Sequence, residues 1–394
     1  MEAATLYTDS IASDARLSVW GVVPWYVWCA LAGITSVMVG VHWDISWHTS
    51  IGRDTFWTSA HMAIYMCGVL SGTAYGYLIL RTTFDSAAVG LRAASVKIFG
   101  LRGPLGAFIA SWGGITMLTS APFDNWWHNA YGLDVKIVSP PHMVLFTGIL
   151  AVIVGTLVLI ASLQNRAGEA ELRSVYGAMF LYACSVLLVM SQGMLMEFTQ
   201  RQFLHMHQPY ILTALVTLAI LGAARRGTQF PWAATCVCGF YTFYRIGLIL
   251  VLPLFPAEPK IGPVFHHVTQ FIPPEFPLLI LVPAIILDIF WARTKNWSGF
   301  LSAIVASAIF VAAFSVVEWP FSEFLQSPPS RNWFFGTDYM GFGTRPTSLK
   351  ALHHFFATDS LAEFARGLCL AWVVGAFALW FGSGRGDWLR RVER

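Results

Sequence analysis

HMVLFTGILAVIVGTLVLIASLQ, residues 142–164, decides the fold. It holds no Asp, Glu, Lys or Arg, and at about 1.5 Å per helical residue it is long enough to cross a hydrocarbon layer of about 30 Å. Further runs of this kind fall roughly at 20–41, 61–83, 103–121, 174–197, 209–224, 230–254, 273–292, 298–317 and 361–383. The whole chain agrees with them: of 394 residues, 56% are hydrophobic and 11% charged, and the mean hydropathy is +0.61. That is far more apolar than a soluble globular chain. The expected fold is therefore all-α, a polytopic transmembrane helix bundle of about ten spans with the lipid bilayer around it. A formal net charge of +3 without a basic tract gives no support to nucleic acid as a partner. Residues 1–17 are polar and lack the basic start and small-residue cleavage site of a signal peptide, so the first span is expected to stay as an anchor.

The basic residues orient this bundle. In a ten-span arrangement, Arg16, Arg81, Arg92, Lys97, Arg102, Arg166, Arg173, Arg225, Arg226, Arg293, Lys295, Arg385, Arg390, Arg391 and Arg394 all fall on one side. Arg53, Lys136, Arg201, Lys260, Arg331, Arg345 and Lys350 fall on the other. The excess marks the first side, and with it both termini, as cytoplasmic. All eleven histidines then lie on the outer side or at the outer ends of spans.

Immediately before the 142–164 run stands PFDNWWHNAYGLDVKIVSPPH, residues 122–142, and it echoes HWDISWHTSIGRDTFWTSAH at 42–61. Asp124, His128 and His142 are spaced D-x3-H-x13-H; Asp44, His48 and His61 are spaced D-x3-H-x12-H. At an offset of 80, Trp47 also matches Trp127, Gly52 matches Gly132, and Asp54 matches Asp134. This is an internal repeat, 42–83 and 122–164, and the repeated residues are metal-ligand types. An Asp and a His four residues apart share one helix face and reach one ion together. The later His does not return to that face. With Gly52 or Gly132 between, a break is expected, then a second helix opened by Ser59 or Ser139 as cap, with Pro140 and Pro141 suiting its first turn. Two helices would pinch one ion; the alternative is a purely polar network between them. Asp54 and Asp134 are either partners holding a ligating imidazole or loop caps.

Weaker groups are Glu197, His205 and His207 beside Met194, Met196 and Met206; His266, His267 and Glu275 opening the 273–292 run; and His353 and His354 in a long outer loop, 318–360. For each, ligation stands against an ordinary interfacial role, and the loop is either a lid or a cover. Arg245 and Asp288 either pair or stand apart. Cys29, Cys67, Cys184, Cys236, Cys238 and Cys369 all fall inside spans, where apolar packing is expected rather than disulfides. Trp43, Trp47, Trp57, Trp126 and Trp127 read as an interfacial belt or as an apolar wall beside a metal. Motifs for nucleotide, dinucleotide or covalently attached haem are absent from the sequence.

The segment WHTSIGRDTFWTSAH resembles the metal-binding segment of the C subunit of particulate methane and ammonia monooxygenases, the copper membrane monooxygenases. That family has a Trp-His, then an Arg-Asp, then a Ser-His opening the next helix; here these are Trp47, His48, Arg53, Asp54, Ser59 and His61. The second repeat is similar to a second copper site in that subunit, where an Asn, a His and a later His take the places of Asp124, His128 and His142. The resemblance covers these two segments. It divides the chain into a metal-binding bundle, 1–230, and additional transmembrane helices, 231–394. It implies copper, with iron or zinc as alternatives, held by Asp44, His48 and His61 and by Asp124, His128 and His142. It implies an oxidoreductase of monooxygenase type, or its metal-bearing subunit, acting on a small hydrophobic substrate. The place implied is the bacterial cytoplasmic membrane, with the metal sites toward the outer side and other monooxygenase-type subunits or further copies of the chain as partners. The same ligands would equally serve a copper-handling protein that binds, delivers or assembles the ion without turnover.

Overall fold

The runs of apolar residues become ten long helices in a computed structural model that describes residues 22–52, 55, 57–131 and 138–394. Arg16, Arg53, Asp54, Gly132, Asp134 and Lys136 lie outside the described residues. In chain order the helices are α1 Trp25–Ser50, α2 Ser59–Phe84, α3 Leu105–Tyr131, α4 Pro140–Arg166 and α5 Ala170–Met194. They continue with α6 Gln208–Gly227, α7 Ala233–Val251, α8 Leu281–Arg293, α9 Gly299–Gln326 and α10 Leu361–Leu389. The strands among the described residues form one small hairpin, β1 Val96–Ile98 with β2 Leu101–Gly103. Eight of the helices, all but α3 and α8, are long and apolar enough to cross a membrane.

The expected span at 273–292 needs correction. Helix begins only at Leu281, and its 13 residues reach about 20 Å. Pro273, Pro274 and Pro277 have no N–H for a helical ladder, so this stretch runs extended. The Phe271 N–H donates to Phe255 O at 3.1 Å, which holds the segment back on its own start.

The first four long helices form two antiparallel pairs, and glycine sets how closely each pair approaches. A Cβ at Gly33 of α1 would stand 2.8 Å from Ser71 Oγ and 3.4 Å from Cys67 O of α2. A Cβ at Gly113 of α3 would stand 2.6 Å from Gly148 O and 2.7 Å from Val152 N of α4. Gly113 follows Gly33 by 80 positions, and Gly148 and Val152 follow Cys67 and Ser71 by 81. The offsets are those of the ligand-type residues, so the repeat extends into the packing of the helices. Small residues of this kind let backbones meet without lipid between them.

One apolar core runs through the bundle from Val23 to Val392. The last helix, α10, lies along α6: a Cβ at Gly382 would meet Ala219 O at 2.0 Å, and one at Gly386 would meet Ala223 O at 2.7 Å. The two long connections at 252–280 and 327–360 cover the end of α1. Ser46 Oγ donates to Ile272 O at 2.6 Å, the Ile272 N–H donates to Ser50 Oγ at 2.8 Å, and the Phe342 N–H donates to Thr49 O at 3.1 Å. Alternating helix direction then puts the described histidines toward this end, and the loops rich in Arg and Lys at the other.

Candidate metal centre

Helix α1 continues to Ser50, well past the expected 20–41 run, because nothing between Val41 and Ser50 withholds an N–H. Asp44 and His48 therefore sit one turn apart near its end. The chain leaves the helix at Gly52, whose φ of +82° is readily adopted by glycine and costly for other residues. Its N–H returns to Trp47 O at 3.1 Å. A Cβ there would press on the Phe342 ring at 2.5 Å and on Ile261 at 2.6 Å. The next helix is capped by Thr58, not Ser59: Thr58 Oγ1 accepts the His61 N–H at 3.4 Å, and Ser59 is already helical. In α4, Pro140 and Pro141 occupy the first turn as expected, and Ser139 stands at the cap position without a capping hydrogen bond. Pro141 has removed one of the two N–H groups that a cap serves, and that of His142 remains.

These turns bring both trios together. Asp44 Oδ2 is 3.7 Å from His48 Nε2, and Asp44 Oδ1 is 3.3 Å from His61 Nε2. In the second repeat, Asp124 Oδ2 is 3.4 Å from His128 Nε2, and Asp124 Oδ1 is 3.6 Å from His142 Nε2. The arrangement is the same to the atom: one oxygen toward the imidazole on its own helix, the other toward the imidazole on the next. Asp44 Oδ1 and Asp124 Oδ1 are both buried and accept no hydrogen bond. Exposure separates the copies, with side chains of 19–24% in the first trio and 23–32% in the second.

The chemistry of His61 is fixed further. Its Nδ1 lies 3.0 Å from Thr55 O, a carbonyl that only accepts, so Nδ1 carries the proton of that bond. In the neutral ring, Nε2 then directs a lone pair at Asp44 Oδ1, which is itself an acceptor. Two acceptors facing each other need a proton or a metal ion between them. A backbone carbonyl on the outer nitrogen is the usual way to aim an imidazole at a metal.

Among the described residues, no group of three or more His, Cys, Asp and Glu is placed so that it could hold a metal ion. The trios have ion-pair geometry, in which each carboxylate bridges two rings. Two ligands bound at about 2.0–2.2 Å to a tetrahedral ion stand about 3.3–3.6 Å apart. The carboxylate-to-imidazole separations lie close to that range, but the three donors of each trio do not close on one point.

His205, His207, Glu275, Arg245 and Asp288 have structural partners, whereas His266 Nε2 and His353 Nδ1 are buried without a hydrogen bond. His205 is sandwiched between Trp319 and Phe355, with ring centroids 3.9 and 3.7 Å away, and burial lowers its pKa. His207 places Nδ1 2.6 Å from Asp359 Oδ2, and the same oxygen accepts its N–H at 2.8 Å. His205 and His207, expected to group with Glu197, instead make separate contacts to residues far along the chain. Glu275 joins Lys350 at 3.1 Å and accepts the Arg201 N–H at 2.9 Å, tying together three segments at the end of the bundle that carries the histidines. Arg245 and Asp288 do not pair. Arg245 Nη2 donates to Glu275 O at 2.8 Å, and Asp288 accepts Thr235 N–H and Oγ1–H, both at 2.7 Å, at the start of α7. The six cysteines are free.

Thr55, Asp359 and the Lys350–Glu275 contact were not singled out by sequence reasoning. Only Asp359 had a local signal, since it precedes Ser360, whose S-x-x-E capping box with Glu363 opens α10.

Comparison with protein-family models, with curated proteins and with solved structures gives no match.

Proposed function

We propose that this chain is an integral membrane protein that holds a transition-metal ion at each of two Asp-His-His sites. The duplicated geometry carries this reading. Asp44 and Asp124 each extend one oxygen to an imidazole on their own helix and the other to an imidazole on the next. His61 has its outer nitrogen on a carbonyl, which turns Nε2 toward Asp44 Oδ1. Two imidazoles and one carboxylate are hard-to-borderline donors that suit copper, iron or zinc, and three protein ligands leave coordination positions open for a substrate or dioxygen.

The resemblance to the copper monooxygenase C subunit favours copper and an oxidoreductase role, alone or as the metal-bearing subunit of a larger assembly, on a small hydrophobic substrate. A copper ion bound there would supply the redox chemistry that activates dioxygen. The chain's own residues supply position. Asp44 and Asp124 neutralise charge, Thr55 orients His61, and the 252–280 and 327–360 segments cover the end of α1 beside the first site. The partial exposure of both trios also suits a protein that takes up copper and passes it on without turnover.

Elemental analysis of protein purified in mild detergent tests the assignment. Two ions per chain are expected, and one in each of His48→Ala and His128→Ala. Metal-free wild-type protein after incubation with copper, iron and zinc salts would refute it. Oxygen consumption with a small hydrocarbon and a chemical reductant then separates the oxidoreductase from the handling protein.

A further inference from the structure

At the end of the bundle opposite the trios, a cavity of about 420 Å³ lies where α6, α9 and α10 meet. Arg225 and Arg226 reach it from the last turn of α6, Lys295 from the turn before α9, and Arg385 from near the end of α10. Asp387 is the acidic residue in its wall, and Arg226 already holds both of its oxygens, at 2.7 and 3.0 Å. Asp288, on nearby α8, is occupied by the N–H groups at the start of α7. Arg225 and Arg385 lie instead over aromatic rings, 4.4 Å from the Trp291 centroid and 4.6 Å from that of Phe381. Among the described residues, neither of them nor Lys295 has a carboxylate within ion-pair distance. The first turn of α9 faces the same space through Gly299 and Ser302, and a 28-residue helix contributes partial positive charge at its start.

The other wall is apolar and leads outward along α10. Trp380 and Phe381 line the cavity and are 51% and 45% exposed; Phe377 and Val373, about one and two turns further along, are 61% and 60% exposed. These residues form a stripe on the membrane-facing side of a helix that the bundle leaves uncovered. The cavity thus joins three cations without carboxylate partners to a path for hydrocarbon.

We propose that this cavity binds the phosphate of an anionic phospholipid, with an acyl chain along Phe381, Phe377 and Val373. A free phosphate would use the cations and leave the stripe unused, whereas a lipid uses both. Basic pockets between membrane helices at the end rich in Arg and Lys are suited to such headgroups. The ligand is independent of the metal sites.

The test is native mass spectrometry of the full chain, released from detergent holding equal amounts of phosphatidylglycerol and phosphatidylcholine. Phosphatidylglycerol should be retained over phosphatidylcholine by about tenfold, taking roughly one cation contact as the net difference after exchange. The Arg225→Gln, Lys295→Gln, Arg385→Gln variant should retain the two equally, with the metal content of wild type. Equal retention by wild type overturns the proposal without any variant, and so does an undiminished preference in a folded variant. Displacement of the lipid by inorganic phosphate at matching concentration would make soluble phosphate the ligand and also overturn it.

Discussion

Gly113 and Gly114 are neighbours in α3 with opposite surroundings, and replacing each by Ala tests the packing on which the second site rests. A Cβ at Gly113 would lie 2.6 Å from Gly148 O, 2.7 Å from Val152 N and 2.9 Å from Ala151 Cβ; one at Gly114 would meet nothing within 4 Å. Ordinary contact begins near 3.4 Å, so Gly113→Ala must open the α3–α4 gap by roughly 0.8 Å. The first two obstacles are backbone atoms that cannot rotate away, so the helices themselves must part. Overpacking of this kind costs about 1–3 kcal/mol. Gly114→Ala carries no such cost and gains the roughly 0.5–1 kcal/mol by which Ala is preferred to Gly within a helix. Thermal unfolding in detergent, followed by circular dichroism, should place Gly113→Ala below wild type and Gly114→Ala at or above it. Because α3 carries Asp124 and α4 carries His142, Gly113→Ala should also weaken the second ion while the first, between α1 and α2, stays bound. A Gly113→Ala protein as stable as Gly114→Ala would refute the close approach of the two helices.

Three other perturbations address the end of the bundle that carries the histidines. Burial pushes the Glu275 carboxyl up, but Lys350, Arg201 and the Arg201 N–H outweigh it and hold its pKa at about 2, below the ordinary 4.5. A carboxyl depressed on folding contributes stability that is full above about pH 4.5 and lost as pH falls toward 2. Glu275→Gln should therefore cost on the order of 1–3 kcal/mol near neutral pH and flatten the acid limb of an unfolding titration; an unchanged limb would exclude this role. Gly52→Ala forces a left-handed backbone costing roughly 1–2 kcal/mol and drives a Cβ against Phe342 and Ile261. It should speed proteolysis within 252–280, and an unaltered cleavage rate would count against that clasp. Asp359→Ala removes both hydrogen bonds to His207 and should lower stability by about 1–3 kcal/mol, read as a lower thermal midpoint in detergent.

What was legible in the sequence is what is local. Ten apolar runs became ten helices because continuous hydropathy and a 3.6-residue period are properties of neighbours, and Asp44 with His48 follows from one helical turn. His61 and His142 required one more step, a break and an antiparallel return, and Gly52 marked it. The 273–292 run was misread because apolar residues were weighed and the prolines among them were not. Arg245 and Asp288 were considered as a possible charge pair, while the structure uses one to hold a carbonyl and the other to cap a helix. The outer cover was illegible for a different reason: its bonds join Ser46 to Ile272, Arg201 to Glu275 and His207 to Asp359, pairs separated by 226, 74 and 152 residues.

Those unread contacts bear on the difference between the two copies. The 252–280 and 327–360 segments hydrogen-bond to Ser46, Thr49 and Ser50 of α1 and to Ile51 just beyond it, all within two turns of Asp44. His61 is correspondingly 19% exposed where its counterpart His142 is 31%. Two of the three ligand types, the carboxylate and the later imidazole, therefore stand at two levels of solvent access, while His48 and His128 are alike. A charge pair or a bound cation is screened less where water is scarcer, so the first trio should hold its cation more tightly. In a competition with a soluble chelator, the ion removed by His128→Ala should leave wild type before the ion removed by His48→Ala. The reverse order would mean that the cover over α1 does not govern access to the first site.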